Sequence, residues 1–532
     1  MGILTRARQA GQAIVSGSVV DRAVSVLDPE RAFRRRAYRN ALDVQAGAYR
    51  GARSNRTTHA WSAGTYDADS TLSGGDLQTL RNRSRDLNRN EAIAAGVTDA
   101  MVNNTIYTGI KPQSQIDYEA IGITEQQAQT FQRQAERAYR RWSSGKWATA
   151  DMSANADQLQ ALVMRQVFES GEFLGVRRAI RRRQSPYLLA VQAVEPDRLS
   201  TPSDAPPNTS MGITKDANGA PTAYHLRETH PGASTYPRLF AGEYKTVSAY
   251  DRQGRQRVFH VYKRMRPGQS RGVPLFAPVM EQFRILSQYI EATLVAARVA
   301  ACFGAVVKTD YAYGAAVGRS DDTNTDGQRL EGFEPGMIEY LAPGQDITQI
   351  RPEQPTEAFA PFTESVFRLM GAGLGLPYEI ILRDFSKTNY SSARSALLQA
   401  YRIFTEWQQL VIDDYCQPLW ELLLEEAWAR GELSAPGFEQ SFHEYTRAQW
   451  IPPGWAWVDP LKEAQAYQLM ESIGATSKAE VCAAQGKDWE AVAEQQAREK
   501  QRYEDLGLSY EQAPLDENKN TSGGVDDTAP TE

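Results

Sequence analysis

Apolar residues recur at spacings of three and four from about 76 to 105, where Leu77, Leu80, Leu87, Ile93, Val97 and Met101 line one side of a predicted helical stretch. A second helix is predicted over 125–142. Thr124 is its N-cap, Gln127 completes a capping box, and Ala128, Phe131, Ala135, Ala138 and Trp142 form its apolar face. A third, over 155–170, should stop at Gly171. The pattern then changes to alternation. Residues 172–268 read as β-rich, with Tyr187–Val191 as a buried strand, Asn218-Gly219 as a hairpin turn, and Val258, His260 and Tyr262 alternating with Phe259 and Val261. Thr201–Pro207 and Arg252–Gly254 supply loops, which predicts a small inserted β domain.

The longest helical signal of the first half runs from Val279 to Phe303 with apolar positions Val279, Phe283, Leu286, Ile290, Leu294, Ala297 and Ala301. Glu281, Arg284, Gln288, Glu291 and Arg298 form its polar face, and its length is ~38 Å at the α-helical rise. A helix over 361–371 leads to a glycine turn at Gly371, Gly373 and Gly375. The next runs from Ser392 to Arg430, where Pro418 should kink or break it and Gly431 should cap it. Two shorter helices are expected at 460–473 and 477–503. The first 60 residues read as a loose arm with one short helix at 29–42, residues 318–327 as an exposed mobile loop, and residues from 511 as a disordered tail. No internal repeat is visible.

A chain of 532 residues, 41% hydrophobic and 23% charged, has ample material for a core. Its net charge of −6 conceals an asymmetry: eleven arginines face four acids in residues 1–60, whereas three bases face eight acids in 500–532. A basic arm and an acidic tail suggest polyanion or partner contact at one end and a solvated extension at the other. Cys302, Cys416 and Cys482 are widely separated and odd in number, which argues against a disulfide framework and for a reducing cytosol. The most apolar run, 294–307, is short and contains Arg298, so no membrane span is expected, and residues 10–20 are too polar for a signal peptide.

The sequence offers little chemistry. A phosphate-cradling loop ending Gly-Lys-Ser/Thr is absent: Gly145-Lys146 precedes Trp147 and Gly486-Lys487 precedes Asp488. Gly371, Gly373 and Gly375 follow a helix and enter Pro377, which suits a helix stop and hinge better than a dinucleotide loop. Asp413-Asp414 and Glu425-Glu426 occupy adjacent helix positions that point apart, as on a solvated face. His59, His225, His230, His260 and His443 lack metal-ligand spacing, and no nucleophile–base set can be assembled, so neither metal nor cofactor is expected. The cluster Arg177, Arg178, Arg181, Arg182 and Arg183 fits solvated surface, nucleic acid or an acidic protein partner. Trp450, Trp455 and Trp457 around Pro452-Pro453-Gly454 read as a rigid packed loop.

Several strings share a common likeness. They are Leu80-Arg81-Asn82-Arg83-Ser84-Arg85-Asp86-Leu87, Asn103-Asn104 with Thr108–Pro112, Ala296–Gly304, Gly373-Leu374-Gly375-Leu376-Pro377-Tyr378-Glu379, Thr388-Asn389-Tyr390-Ser391-Ser392-Ala393-Arg394, Tyr415–Leu419, and Trp450–Pro460 running on through Leu461, Lys462 and Glu463. In this order, over residues 30–500, the chain resembles the lambda-type portal proteins of tailed bacteriophages. The resemblance implies a structural protein rather than an enzyme, of α+β class: a mainly α-helical portal fold of wing, stem and crown with an inserted β-rich clip, assembling into a ring. On that reading residues 1–60 are a flexible basic arm, 61–174 an α-rich wing part, 175–272 the clip and 273–305 the stem helix. Residues 306–393 then hold the wing and tunnel loop, 394–510 the long helix and crown, and 511–532 the acidic tail.

The family implies a dodecamer at one capsid vertex of the virion, assembled in the host cytoplasm, through which double-stranded DNA is packaged and ejected. Arg383, Lys387 and Asn389 become channel candidates, within a tunnel loop placed in 371–393. The clip, with its arginine cluster, becomes the docking site for the terminase large subunit and later for head-completion or connector proteins. Major capsid and scaffold proteins are further implied partners, and a membrane is not. The alternatives are another head–tail connector ring, which is usually a much shorter chain, and an enzyme with a cryptic acidic site.

Overall fold

The computed structural model describes residues 64–73, 75–233, 243–302, 306–309, 345–348, 359–455 and 460–508. The expected helix at 29–42, the loop at 318–327, Trp457 and the tail from 511 lie outside the described residues. The chain divides into two compact units, Met1–Asp67 and Ala68–Glu532. Of the first only residues 64–67 are described, and the second is the body considered below.

The predicted stretch 76–105 is two helices, α1 (Asp76–Asn90) and α2 (Ala92–Thr105), separated by an extended Glu91. The polar Asn88-Arg89-Asn90 run ends α1 because amide side chains compete for hydrogen bonds: Asn88 donates back to the Ser84 carbonyl and accepts from the Thr98 hydroxyl at 2.6 Å. The break turns Ala94, Val97 and Met101 into the same core as Leu87. After β1 (Lys111–Ser114) comes α3 (Glu125–Ser143), whose Thr124–Gln127 capping box and buried face are as the sequence predicts. Helix α4 (Ala156–Ser170) carries its own Asn155–Gln158 capping box and stops at Gly171 with φ 90°. A Cβ there would meet the Gly272 carbonyl oxygen at 2.7 Å, so glycine is needed for space as well as for its dihedral.

Strands β2 (Glu172–Ala179), β3 (Leu189–Val194), β4 (Thr209–Ser210), β5 (Ile213–Lys215), β6 (Pro221–Arg227), β7 (Tyr244–Ser248) and β8 (Val258–Tyr262) form two antiparallel sheets, ordered β3-β2-β8 and β4-β5-β6-β7. Strand β3 starts two residues later than the Tyr187 start predicted from the sequence, because the Glu426 carboxylate accepts from the Leu188 and Leu189 amides at 2.6 and 3.0 Å. The Asn218-Gly219 turn closes β5 on β6, with Gly219 at φ 85° and Asp216 accepting from the Asn218 and Ala220 amides. The three-stranded sheet is apolar on both faces. Phe173, Val191, Phe259 and Val261 join the helical core, while Leu174, Val176, Val194 and Val258 face a second core with Ile213, Tyr224 and Leu226.

Helix α5 (Met280–Cys302) is followed by the antiparallel pair β9 (Val306–Thr309) and β10 (Gln345–Thr348), and the chain returns through α6 (Phe359–Leu374). Helix α6 runs through Gly371 and Gly373 and stops only at Gly375, at φ 73°. The expected glycine turn is therefore shorter than predicted. Helix α7 (Tyr378–Leu382) ends at Arg383 in the left-handed region, and α8 (Tyr390–Val411) begins at an Asn389 N-cap. At Pro418 the long helix does not break: a π-turn over Ile412–Cys416 leads into α9 (Gln417–Ala429), with the Gln417 amide bonded to the Ile412 carbonyl. Wider winding accommodates the missing proline donor. Gly431, at φ 75°, caps α9 as predicted, with the Glu432 amide reaching the Ala427 carbonyl.

Strand β11 (Ala448–Ile451) pairs with β1, and Trp455 stacks on Tyr401 at 4.2 Å. Helices α10 (Pro460–Ser472), α11 (Lys478–Ala484) and α12 (Trp489–Asp505) complete the body. The helix expected over 477–503 is divided at Gly486, which has φ 71° and lies against the Gly454 backbone.

Candidate functional site

Helices α5 and α6 pack antiparallel. Tyr289 stacks on Phe359 at 5.7 Å and meets Phe362 edge-on at 5.2 Å, and at the other end Gly373 makes room for Val279, whose Cγ1 lies 2.6 Å from where a Cβ would stand. On α5, Glu281, Arg284, Gln288, Glu291 and Arg298 are all exposed, as predicted. The apolar face is shorter than predicted: Phe283 and Leu286 are buried, but Leu294 is 58% exposed and Thr293 is buried in its place. Ile285 and Val295 are also exposed, on the side away from the core.

The channel candidates are already engaged. Lys387 forms a 2.8 Å ion pair with Glu364, and that hydrogen bond raises the pKa of the ammonium. Arg383 donates to the Gly96 carbonyl at 2.9 Å, and Asn389 accepts from the Ser392 amide at 2.8 Å as the cap of α8. Lys387 and Arg383 both stay exposed, with Arg383 anchoring a turn and Asn389 starting a helix. The hinge glycines also have separate tasks. A Cβ at Gly371 would lie 2.7 Å from the Leu376 carbonyl oxygen, Gly373 admits Val279, and Gly375 alone of the three needs the left-handed conformation.

The arginine cluster is only partly surface. Arg177 pairs with Asp251 at 2.6 Å, Arg178 donates twice to Gln192, and Arg182 donates to the Trp147, Thr149 and Ala150 carbonyls. Arg181 and Arg183 are the exposed members. The acids Glu425 and Glu426, expected on a solvated face, instead face the sheet: Glu425 pairs with Arg255, and Glu426 caps β3. Asp414 is half-buried, and burial and then neighbouring Asp413 push its carboxyl up to about 6.

A buried charge network is absent from the sequence reading. Glu172, fully buried at the start of β2, receives Arg81 from α1, Arg271 at 2.7 Å, His260 at 2.9 Å and the Gly272 amide at 3.0 Å. Burial would raise this carboxyl, but Arg271 and Arg81 outweigh it and hold Glu172 well below the usual range. Beside it, Asp197 accepts from Arg85 and from Gln78, which bring it down to about 2 against the effect of burial. A contrasting acid lies where α12 meets the body. Burial and then Asp488 push Glu136 up to about 7, although the Ser114 amide and Arg140 favour its charged form. The only sequence sign of the first network was the density of arginines in 81–85.

Among the described residues no group of three or more His, Cys, Asp or Glu is arranged to hold a metal ion, and no helix is long and apolar enough to cross a membrane. His225 lies between Thr214 and Thr246, within hydrogen-bonding distance of both hydroxyls. The Cys416 thiol is buried, which pushes its pKa up.

The sequence profile of phage portal proteins of the lambda family matches residues 54–408. The portal protein of Escherichia phage N15 is 24% identical over 461 residues, covering 80% of this chain and 84% of its own. Portal protein B of Escherichia phage lambda is 24% identical over 455 residues with the same coverage, and a probable portal protein of Halomonas phage phiHAP-1 is 25% identical over 467 residues, covering 86% and 87%. Among solved structures, a chain of the virion of a native gene transfer agent particle superposes with a TM-score of 0.46 at 13% identity, covering 81% of this chain and 98% of that one. A chain of the neck of the native particle, computed with C12 symmetry, gives 0.41 at 12% identity, covering 78% and 94%. With more than half of its length matched by the family profile, this chain belongs to the lambda family of phage portal proteins.

Proposed function

We propose that about a dozen copies of this chain close into a ring at one capsid vertex, and that double-stranded DNA passes through the bore during packaging and ejection. One observation carries the ring: α10, α11 and α12 have no buried side chain, yet they display Leu461, Leu469 and Trp489, with Ile473 exposed just beyond α10. An isolated chain leaves this apolar surface in water, and neighbouring copies around an axis would cover it. The protein then acts as a machine part of the virion rather than as an enzyme.

A conduit for any sequence must touch phosphates sparsely, since each neutralised phosphate adds affinity and salt dependence. Lys387 suits that role because it is exposed while its charge is shared with Glu364. The docking role expected of residues 175–272 fits less well. Their three-stranded sheet is built into the helical core, and three of the five clustered arginines are occupied internally. The paired strands β9 and β10 follow the far end of α5 from Val279 and suit a projecting platform better. The terminase large subunit and head-completion proteins would dock there, with Arg181 and Arg183 as a secondary basic patch. Contacts with major capsid and scaffold proteins, and assembly in the host cytoplasm, follow from the same reading.

Lys387→Ala tests the DNA contact. Rings should assemble and enter procapsids normally, while packaged DNA is retained less well in a salt-dependent assay. Retention identical to wild type across salt would remove Lys387 from the channel.

A further inference from the structure

Helices α11 and α12 bury no side chain, so little apolar surface fastens them to the body. The N-terminal end of α12 meets α3 and β1 through polar groups instead. Gln113 of β1 donates to the Asp488 carboxylate at 2.9 Å, and Arg133 of α3 pairs with Glu494 at 3.7 Å. Just before α12 the backbone is in close contact with the body, since a Cβ on Gly486 would stand 2.6 Å from the Gly454 amide nitrogen. Glu136 of α3 belongs to the same junction, with its side chain only 13% exposed. It accepts from the Ser114 amide at 3.1 Å, one residue along β1 from the glutamine that holds Asp488. The charges facing it are unbalanced. From α12 come Asp488 and Glu490, from its own helix comes Arg140 at 4.0 Å, and β1 offers the uncharged Ser114 amide. Other cations nearby are committed or exposed: Arg133 pairs with Glu494, Arg447 beside β11 pairs with Asp117, and Arg137 and Lys487 are exposed.

We infer that the docking of α12 on the body is a proton-dependent latch, closed while Glu136 carries a proton and loosened when Glu136, Asp488 and Glu490 are all ionised. The contacts lie within one chain, so the latch stands independently of the ring proposed above. An interface without apolar anchorage is sensitive to such a charge, because nothing else at the junction offsets the repulsion among three carboxylates. Burial first, and then Asp488 and Glu490, push the Glu136 carboxyl up to about 7 from its ordinary 4.5, against the Ser114 amide and Arg140. Burial and then Asp488 raise Glu490 as well, with Arg133 opposing. The docked form therefore holds the Glu136 proton more tightly than an undocked form in which water reaches the carboxyl. Docking is then strongest below about 4.5, weakens as pH rises, and levels off above about 7.

Amide hydrogen exchange on the full-length protein reads the latch, at a concentration where light scattering gives the same particle size at every pH. Corrected for intrinsic exchange rates, the protection of α12 should fall about tenfold between about pH 5 and about pH 8, while α4 in the core keeps its protection. Glu136→Gln should hold α12 at its acid-side protection throughout. Asp488→Asn keeps a side chain able to cap α12 but removes one repelling charge, so the fall should shrink and move to lower pH. Wild-type protection of α12 that does not change with pH, or a fall of equal size in Glu136→Gln, would overturn the latch. An undiminished fall in Asp488→Asn would overturn it too, whether or not Glu136→Gln folds.

Discussion

At the scale of single residues, the strongest interactions are those that sequence reading does not reveal. Arg81, Glu172, His260 and Arg271 come from distant parts of the chain, and nothing in their local spacing announces a partner. Isolated charges in a sequence read as surface, and only the tertiary fold makes them a buried network. Replacing Glu172 by Gln leaves two buried guanidiniums without their countercharge and should lower unfolding stability by about 3–5 kcal/mol. Because folding depresses the Glu172 pKa, its contribution is fully present above about 4.5 and is lost as pH falls through the lower folded value. Denaturant unfolding of both proteins should therefore show a gap at pH 7 that narrows on the acid side of that value. A gap independent of pH would show that Glu172 acts through packing alone. Asn389 was more legible than its channel assignment suggested, since an asparagine three residues before Ser392 at a helix start is a capping pattern.

Secondary-structure elements were read best where one local interaction decides them. Thr124 and Gln127, Gly171, Asn218-Gly219 and Gly431 each set a boundary by capping or by a left-handed turn, and each does so in the structure. The misses arose where the answer depends on neighbours. A periodic pattern does not show that α1 and α2 part at Glu91, and Pro418 announces a disturbance without saying that a π-turn absorbs it. The glycine stretch is the clearest case. Gly371→Ala should destabilise by about 1–3 kcal/mol through overpacking against the Leu376 carbonyl and Ile381. Gly375→Ala should cost about 1 kcal/mol for its positive φ, with no steric clash, because its nearest neighbour is Ile403 at 3.8 Å. Thermal unfolding of the two variants checks the order, and equal or reversed effects would restore a hinge at Gly371.

On the scale of the whole molecule, the residue pattern gave the succession of helices, β segment, long helix and C-terminal helices. It did not show how the β segment sits, because a strand that buries both faces, such as β8 with Val258, Phe259 and Val261, looks the same whether it belongs to a separate domain or to a shared core. Nor did it distinguish apolar positions that pack within the chain from those left outside. Leu294 was expected on the packed face of its helix and is exposed, and Ile285 is an apolar residue left exposed on the same helix. Those outward residues, with the unburied helices α10 to α12, make a single chain look incomplete and a ring of copies its natural completion. The most direct measurement is electron microscopy of the purified full-length protein across a concentration series. The account predicts perforated rings of about a dozen copies with a bore wide enough for a duplex, and solid particles, open filaments or persistent monomers would contradict it.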